Sequence, residues 1–303
     1  MTRSSLYRTS GPLWCVSVVC FVLTCGVPAL GQDKPATKPA DPQTTDQQPA
    51  ARKPPADLPK AADLIARHLK SIGGKAALMK HTSRYQKGTF SMPAQQITGD
   101  LEVFAAKPNK SLAIINIPQM GGQMRQGFDG KVGWSISPQM GARLAEGEEL
   151  DRTREQSDFY GDLKDASKYK TVETVDQVDF AGTPCYQVRF VSPSGTEHFE
   201  FFDVKTGRQT GSTTKVDNPM SGGKVDINTV LSDYKEFDGI FVPTRTTVSV
   251  MGMDRIITVD KLEFDKVDAK VFDLPEEVQA LMKEKKSGDG QGSPKEKKGG
   301  DGL

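Results

Sequence analysis

The sequence predicts an α+β domain in which a long, curved antiparallel sheet forms an unclosed β-barrel covered by a few helices. Three observations lead to this fold class. Apolar and polar residues alternate along most of the chain between residues 85 and 265. Turns rich in glycine, proline and asparagine separate the runs at short intervals, which fits antiparallel hairpins rather than parallel crossover units. A helical pattern precedes the first run, and a second one interrupts the series.

The folded part opens with a helix. After Asp57, apolar residues recur at three- and four-residue spacing, which is the period of one helix face. Gly73-Gly74 ends this helix, and residues 75–80 make one more turn. His68 lies at the edge of the apolar stripe. Because the chain has 3 histidines and no two are neighbours, we predict that His68 is a packing or surface residue and binds no metal.

The alternating runs predict the strands. They are residues 85–91, 97–105, 111–117, 123–128, 132–137, 171–180, 184–191, 197–203, 208–216, 224–237, 241–251 and 255–265. A sheet of about eleven strands twists and tends to curl, so it becomes an incomplete barrel with a hollow between sheet and helices. Residues 146–164 are polar and acidic at their start, which predicts a helix or two across one opening of the sheet.

The first residues have the layout of a secretory signal. Arg3 and Arg8 precede an apolar run over residues 13–23, and the small residues Ala29 and Gly31 stand at the two positions that a signal peptidase reads. We predict that residues 1–31 form a signal peptide cleaved after Gly31. The alternative is that this segment is retained as a membrane anchor.

Composition divides the rest of the chain into three parts. Residues 32–56 are dominated by proline, alanine and polar residues, which predicts a disordered linker. Residues 283–303 consist mainly of lysine, glycine, glutamate and aspartate, which predicts a disordered tail. The folded domain is then residues 57–282, long enough for one domain with a packed core.

Cysteine content and charge exclude several functions. Three of the 4 cysteines lie in the leader, so the mature chain has Cys185 alone, which we predict to be buried and inert. One thiol makes no intramolecular disulfide and no metal cage, and we expect neither metal nor cofactor. Without the two leader arginines, 38 basic and 39 acidic residues remain. A nearly neutral chain without a basic stripe argues against nucleic acid as a partner.

Alternation predicts which side chains share a face of the sheet. The residues that we expect on the concave wall are Tyr186, Val188, Phe190, Phe199 and Phe201. Trp134, in the strand that follows the Asp129-Gly130 turn, is expected in the core or in this wall. The simpler interpretation is that all of these residues only pack against the helices.

Several methionines stand beside turns, many of them next to glycine. They are Met120, Met124, Met140, Met220, Met251 and Met253. Methionine adapts to varied apolar shapes, so these turns would form a soft lip if they surround the mouth of the hollow. They are otherwise exposed loop residues without a role. Met124 and Met251, with Trp134 and the wall residues, complete the set of candidate ligand-binding residues.

Six motifs occur in a characteristic order. They are a helix ended by GG, FDGKVGW at 128–134, GTPCYQV at 182–188, FFDVKTG at 201–207, SDYKEFDGIFVPT at 232–244 and VFDLP at 271–275. In this order they resemble the bacterial outer-membrane lipoprotein-sorting (LolA/LolB-like) half-barrel superfamily, in a divergent form. The resemblance covers about residues 60–276. It implies an unclosed barrel with an apolar cavity for lipid or acyl groups, and it assigns no individual ligand-contacting residue.

The sequence therefore favours an exported, non-catalytic binding protein of the periplasm or another extracytoplasmic space. Its expected partner is a lipid or an acylated protein, with envelope proteins as further candidates, and the chain is expected to be a monomer. One alternative is a sensing or protein-interaction module without lipid cargo. The other is an exported hydrolase, which no G-x-S-x-G or H-E-x-x-H motif supports. Acid pairs such as Asp158 and Asp162 are expected to be solvated surface charges.

Overall fold

The computed structural model describes residues 57–289, except residue 194 and residues 219–222. The predicted signal peptide and linker lie outside the described residues. The described helices are α1 (Ala61–Ser71), α2 (Gly74–Lys80), α3 (Gly147–Gln156) and α4 (Glu276–Asp289). None of these helices is both long enough and apolar enough to cross a membrane.

Thirteen strands form a single antiparallel sheet. They are β1 (Ser83–Met92), β2 (Ile97–Ala106), β3 (Lys110–Ile117), β4 (Gly122–Phe128), β5 (Gly133–Ser137), β6 (Gly141–Leu144), β7 (Thr171–Phe180), β8 (Thr183–Val191), β9 (Glu197–Asp203), β10 (Gln209–Asn218), β11 (Gly223–Phe237), β12 (Ile240–Val250) and β13 (Met253–Phe264). Their order is β6-β5-β4-β3-β2-β1-β13-β12-β11-β10-β9-β8-β7. In the described chain β6 and β7 are the unpaired edges, so the barrel is not closed. The predicted fold class is confirmed.

Two elements differ from the sequence prediction. Strand β6 was not predicted, because Gly141–Leu144 is too short for alternation to be visible and contains Arg143. Helix α4 runs to Asp289, so the predicted boundary at residue 282 falls inside a helix. The lysines and glutamates after this boundary are good helix formers, and they continue the helix that Val278 anchors in the core.

Antiparallel pairing places the turns at two ends of the sheet. The β1–β2, β3–β4, β5–β6, β8–β9, β10–β11 and β12–β13 turns share one end, which we call the hairpin end. The opposite end, which we call the helical end, carries the other turns together with α1 and α2. The turns that contain Met120, Met140, Met251 and Met253 all lie at the hairpin end. Met220 lies outside the described residues.

Side chains of the sheet fill the hairpin end of the concave face. Strand register brings the inward residues of β1–β4 and β11–β13 into one apolar cluster, whose members are at most 7% exposed. We call this the hairpin-end cluster. Its members are Phe90, Met92, Leu101, Val103, Ala113, Ile115, Ile117, Met124, Ile227, Val248, Val250 and Ile257. The curl of the sheet therefore buries one part of its inner wall against another.

Helices α1 and α2 cover the helical end of the same face. The break between them lies on the β11–β12 hairpin. There Gly73 has a φ of 119°, and an added Cβ would lie 2.3 Å from the Gly239 carbonyl oxygen. This approach requires glycine. The Phe241 amide donates to the Ile72 carbonyl (3.0 Å), which fixes the end of α1 to the hairpin. The helix boundary predicted from Gly73-Gly74 is confirmed.

The convex face has its own cover near edge β6. Leu112 and Trp134 point outward and are buried against Phe272 and Val278 from the C-terminal segment. Arg125 pairs with Glu277 of α4 at 3.3 Å. The sheet is thus covered on both faces in this region, which explains why apolar residues occur on both sides of these strands.

Candidate ligand-binding site

The chain between β6 and β7 crosses the concave face from one edge of the sheet to the other. It consists of α3 and of residues 157–170. We call residues 157–170 the strap. The strap begins at the β3 side, where the Ser157 and Ser111 hydroxyl oxygens are 2.7 Å apart. The Phe159 amide then donates to the Pro108 carbonyl at 3.0 Å. The expected cover across one opening of the sheet is confirmed in this connector.

The remainder of the strap is fixed at the helical end and at the opposite wall. The Tyr160 hydroxyl donates to the His81 carbonyl at 2.9 Å. Farther along, the Tyr169 ring packs edge-on against Phe190 with centroids 5.0 Å apart. The Lys170 amide donates to the Val191 carbonyl at 2.8 Å. The strap therefore contacts both walls of the barrel.

A buried ion pair joins the middle of the strap to β9. The Lys164 ammonium lies 2.8 Å from a Glu200 carboxylate oxygen, and the two side chains are 7% and 3% exposed. Burial opposes ionisation of Glu200, but Lys164 and the neighbouring His198 outweigh burial and lower the pKa of this carboxyl to about 2. Such a pair is costly to desolvate and costly to break. It therefore fixes the position of the strap more than it stabilises the fold.

Asp162 lies next to this pair and is buried. The expectation that it is a solvated surface charge is wrong, because the Gly161–Leu163 turn directs it into the barrel. One carboxyl oxygen has no hydrogen-bond partner among the described residues. Burial raises the pKa of Asp162 to about 7, although Lys164 and Arg84 act in the opposite direction. A carboxyl with this pKa holds its proton in weakly acidic solution.

His68 packs in the core, which is one of the two placements predicted for it. It is buried, and its Nδ1 accepts a hydrogen bond from the Gln209 amide at 3.2 Å. Burial, assisted by Lys164, lowers the pKa of His68 to about 3, so the ring is neutral at ordinary pH. The predicted buried state of Cys185 is also confirmed, and burial raises the pKa of its thiol. In the described part of the chain, no group of three or more histidine, cysteine or acidic residues could hold a metal ion.

Three cavities lie along the concave face, with volumes of about 10, 10 and 20 Å³. Each has room for about one water molecule, whereas sites for small molecules typically occupy some 300–1,000 Å³. The first lies under α3. The other two flank the strap, and Asp162 and Ile240 line both of them. None of these three cavities has room for an acyl chain in this conformation, and the strap lies between two of them.

Asp162 and Glu200 are the kind of acid pair that glycoside hydrolases use, one protonated and one ionised. Their surroundings differ from those of a hydrolase site. Glu200 is engaged by Lys164, and the cavities beside Asp162 are far too small for a sugar ring. In this conformation the pair serves to hold the strap.

Three of the eight candidate ligand-binding residues lie together on the concave face. Tyr186, Val188 and Phe190 pack with the inward side of α1 and with Phe202. Val188 and Phe190 are almost completely buried, and Tyr186 is partly exposed. The strap reaches this group through Tyr169, so withdrawal of the strap would expose part of it.

Phe199, Phe201 and Trp134 do not share that face. In β9 the residues paired with Val188 and Phe190 are Glu200 and His198, which point inward, so Phe199 and Phe201 point outward. Phe201 stacks on Phe180 with centroids 3.9 Å apart. Trp134 is buried under the C-terminal segment on the convex face. The expectation of one common wall is therefore wrong for Phe199 and Phe201, whereas Trp134 lies in the core, which is one of the two placements predicted for it.

The two methionine candidates are at the hairpin end. Met124 is buried in the hairpin-end cluster. Met251 is 67% exposed at the β12–β13 turn. They differ in environment, and the lip remains a prediction. The Lys164–Glu200 pair was not found from the sequence, and the only available signal was a charged residue at an inward position of the Glu197–Asp203 strand.

The sequence matches no family model and none of the curated proteins with which it was compared. The structure is similar to that of a DUF1329 family protein from Desulfovibrio piger, with a TM-score of 0.51 and 13% identity over 70% of this chain and 95% of that one. It also matches a LolA superfamily protein from Nitrosomonas europaea (TM-score 0.48, 12% identity, 72% and 99% covered). A third match is an outer membrane lipoprotein-sorting protein domain from Vibrio parahaemolyticus, with a TM-score of 0.47 and 10% identity over 70% of this chain and 97% of that one.

The fold is an unclosed antiparallel barrel, and the similarity to the DUF1329 family protein concerns this fold. The unclosed barrel that the resemblance of the six sequence motifs implies is thereby confirmed. At these identities the similarity concerns architecture alone, because one fold serves many functions.

Proposed function

We propose that this chain is an exported, non-catalytic binding protein that holds a lipid or acyl chain between its sheet and its helical cover. One observation carries the proposal. The two cavities that flank the strap share Asp162 and Ile240 as lining residues, so the Gly161–Leu163 turn separates them. Withdrawal of this turn would join them into one site lined by His68 and Ile72 of α1 and by Ile240 of β12. Withdrawal of Tyr169 would in addition expose part of the group formed by Tyr186, Val188 and Phe190.

The contacts of the strap suit an element that moves. It is held by single hydrogen bonds, by the Lys164–Glu200 pair and by the packing of Leu163 and Tyr169, whereas the sheet is held by continuous ladders. Exchanging the strap for an apolar ligand would bury hydrocarbon against hydrocarbon, at about 25 cal/mol per Å². The free energy lost by breaking the Lys164–Glu200 pair opposes this gain.

The first experiment asks whether the protein takes up lipid. The chain is purified without detergent, extracted, and analysed by mass spectrometry, and uptake of a fluorescent fatty acid is then measured. We expect co-purifying lipid or saturable uptake. An empty protein that also fails to take up the probe would overturn the proposal.

The second experiment tests the strap. Ser111 and Ser157 face each other at hydrogen-bond distance, so the double variant Ser111→Cys/Ser157→Cys has the side-chain proximity that a disulfide needs. We expect the oxidised form to lose most of its uptake and a reducing agent to restore it. The matched control is Ser157→Cys alone. Full uptake by the oxidised form would show that this end of the strap does not move.

A second function is favoured by the small size of the cavities. A half-barrel with a filled interior also suits a sensing or protein-interaction module without lipid cargo, and β7 offers an edge strand with one free side. An empty protein in the first experiment would leave this module as the leading function.

A further inference from the structure

Arg255 is a buried cation in an apolar environment. It lies on β13 directly opposite Val248, which is completely buried on the concave face. Arg255 itself is 8% exposed. Ile257, two residues farther along the same strand, also points inward and belongs to the hairpin-end cluster. The guanidinium is thus placed among aliphatic side chains near the Met251 turn.

Among the described residues, no hydrogen-bond partner faces two of the guanidinium nitrogens. The buried Nε and Nη1 atoms donate no hydrogen bond to a described residue. No ion pair joins Arg255 to a described carboxylate, and the hairpin-end cluster contains no acid. Burial alone accounts for the lowered pKa of Arg255. The nearest acid along the chain, Asp254, points to the other face and accepts a hydrogen bond from Ser249.

An unpaired buried guanidinium is unfavourable, because the desolvation of a charge is repaid only by a counter-charge and by hydrogen bonds. Leucine or methionine would suit the cluster better. Arginine presents a planar fork of donors that matches a carboxylate or a phosphate. These facts are accounted for if an anion supplied by a ligand completes the site.

We infer that the hairpin end binds the anionic group of an amphiphile, such as the carboxylate of a fatty acid, through Arg255. The apolar tail would lie against Val248, Ile257 and their neighbours in the hairpin-end cluster, which must yield to admit it. The inference goes beyond the proposed function, because it places the head of the ligand at the hairpin end, away from the strap, and gives that head a negative charge. It also assigns a role to the methionine-bearing end of the barrel.

The test compares an anionic with a neutral amphiphile of equal chain length. Binding of oleate and of oleyl alcohol to the full chain is measured by equilibrium dialysis, for wild type and for Arg255→Gln. We expect wild type to prefer oleate at least tenfold and Arg255→Gln to lose this preference while retaining oleyl alcohol. Arg255→Lys should keep part of it. The matched control is Arg245→Gln, since Arg245 is on the adjacent strand with its side chain on the opposite face.

Thermal unfolding gives a second readout that does not require ligand. Removal of an unpaired buried charge should raise the Tm, so ligand-free Arg255→Met is expected to unfold at a higher temperature than wild type. A lower Tm would show that Arg255 is paired within the fold and would overturn the inference. Equal binding of oleate and oleyl alcohol by wild type would overturn it too, but would leave the proposed function intact. Absence of binding by either probe would instead contradict the proposed function itself.

Discussion

The two ends of the concave face are filled in different ways. At the hairpin end the sheet curls onto itself, and side chains from β1–β4 pack against those from β11–β13. At the helical end the same face is covered by α1, α2 and the strap, and the central contact is the Lys164–Glu200 pair. The first region is part of the sheet. The second is an added layer, and it is the layer whose removal would create a binding site.

The difference between the two ends predicts that truncating a side chain lowers the free energy of unfolding more at the hairpin end than in the strap. This is the largest effect that we expect. Phe90 is 1% exposed within the hairpin-end cluster, so Phe90→Ala should lower the free energy of unfolding by about 3–5 kcal/mol. Leu163 in the strap is only partly buried, and Leu163→Ala should cost much less. Denaturant titration measures both. Equal losses would contradict the view that the strap is an added layer.

The buried pair gives the next largest effect. Lys164→Met leaves Glu200 charged and unpaired, which should lower the free energy of unfolding by about 3 kcal/mol or more. The double variant Lys164→Met/Glu200→Leu should recover most of this loss, since two apolar side chains replace the pair. A double-mutant cycle supplies the measurement. Additive losses would mean that the two residues do not interact.

Asp162 predicts a pH dependence of stability. Its pKa is about 7 in the folded protein and about 3.9 when unfolded, so between these values the folded state binds the extra proton. Stability from this group is therefore complete at low pH and falls as the pH rises towards 7 and above. The difference in unfolding free energy between wild type and Asp162→Asn should change between pH 5 and pH 8. A constant difference would show that Asp162 does not titrate there.

The smallest effect concerns a surface cluster. Arg189 pairs with Glu173 and Glu197, all of them substantially exposed. Arg189→Ala should change the free energy of unfolding by no more than about 1 kcal/mol, and less at high salt. A loss as large as that of Lys164→Met would remove the distinction between the buried and the exposed ion pairs.

The alternation of apolar and polar residues was sufficient to locate the strands along the chain. It was insufficient to decide which face of each strand points into the barrel. The runs and turns located every strand except β6, and Gly73-Gly74 located the end of α1. Alternation shows which residues of one strand share a face, but the inward face is decided by pairing with neighbours. Phe199 and Phe201 were misplaced for this reason, and because the convex face is also apolar where Phe180 stacks on Phe201.

The candidate site was less predictable still. Lys164 and Glu200 are separated by 36 positions and belong to different elements, so no local pattern connects them. Asp162 lies in a polar stretch whose composition is typical of a solvated surface. Its burial follows from the path of the strap, which tertiary packing determines. Arg255 was passed over because it begins a strand, where charged residues are common.

The connector between β6 and β7 links the two free edges of an open sheet. Any change in the curvature of the sheet alters the separation of these edges, and the same chain segment must span the new distance. Residues 145–170 would reach roughly 80 Å if fully extended, so the length of the connector does not limit the opening. The edges of the sheet can therefore separate without the loss of any strand, provided that the strap gives up its contacts with one of the two walls.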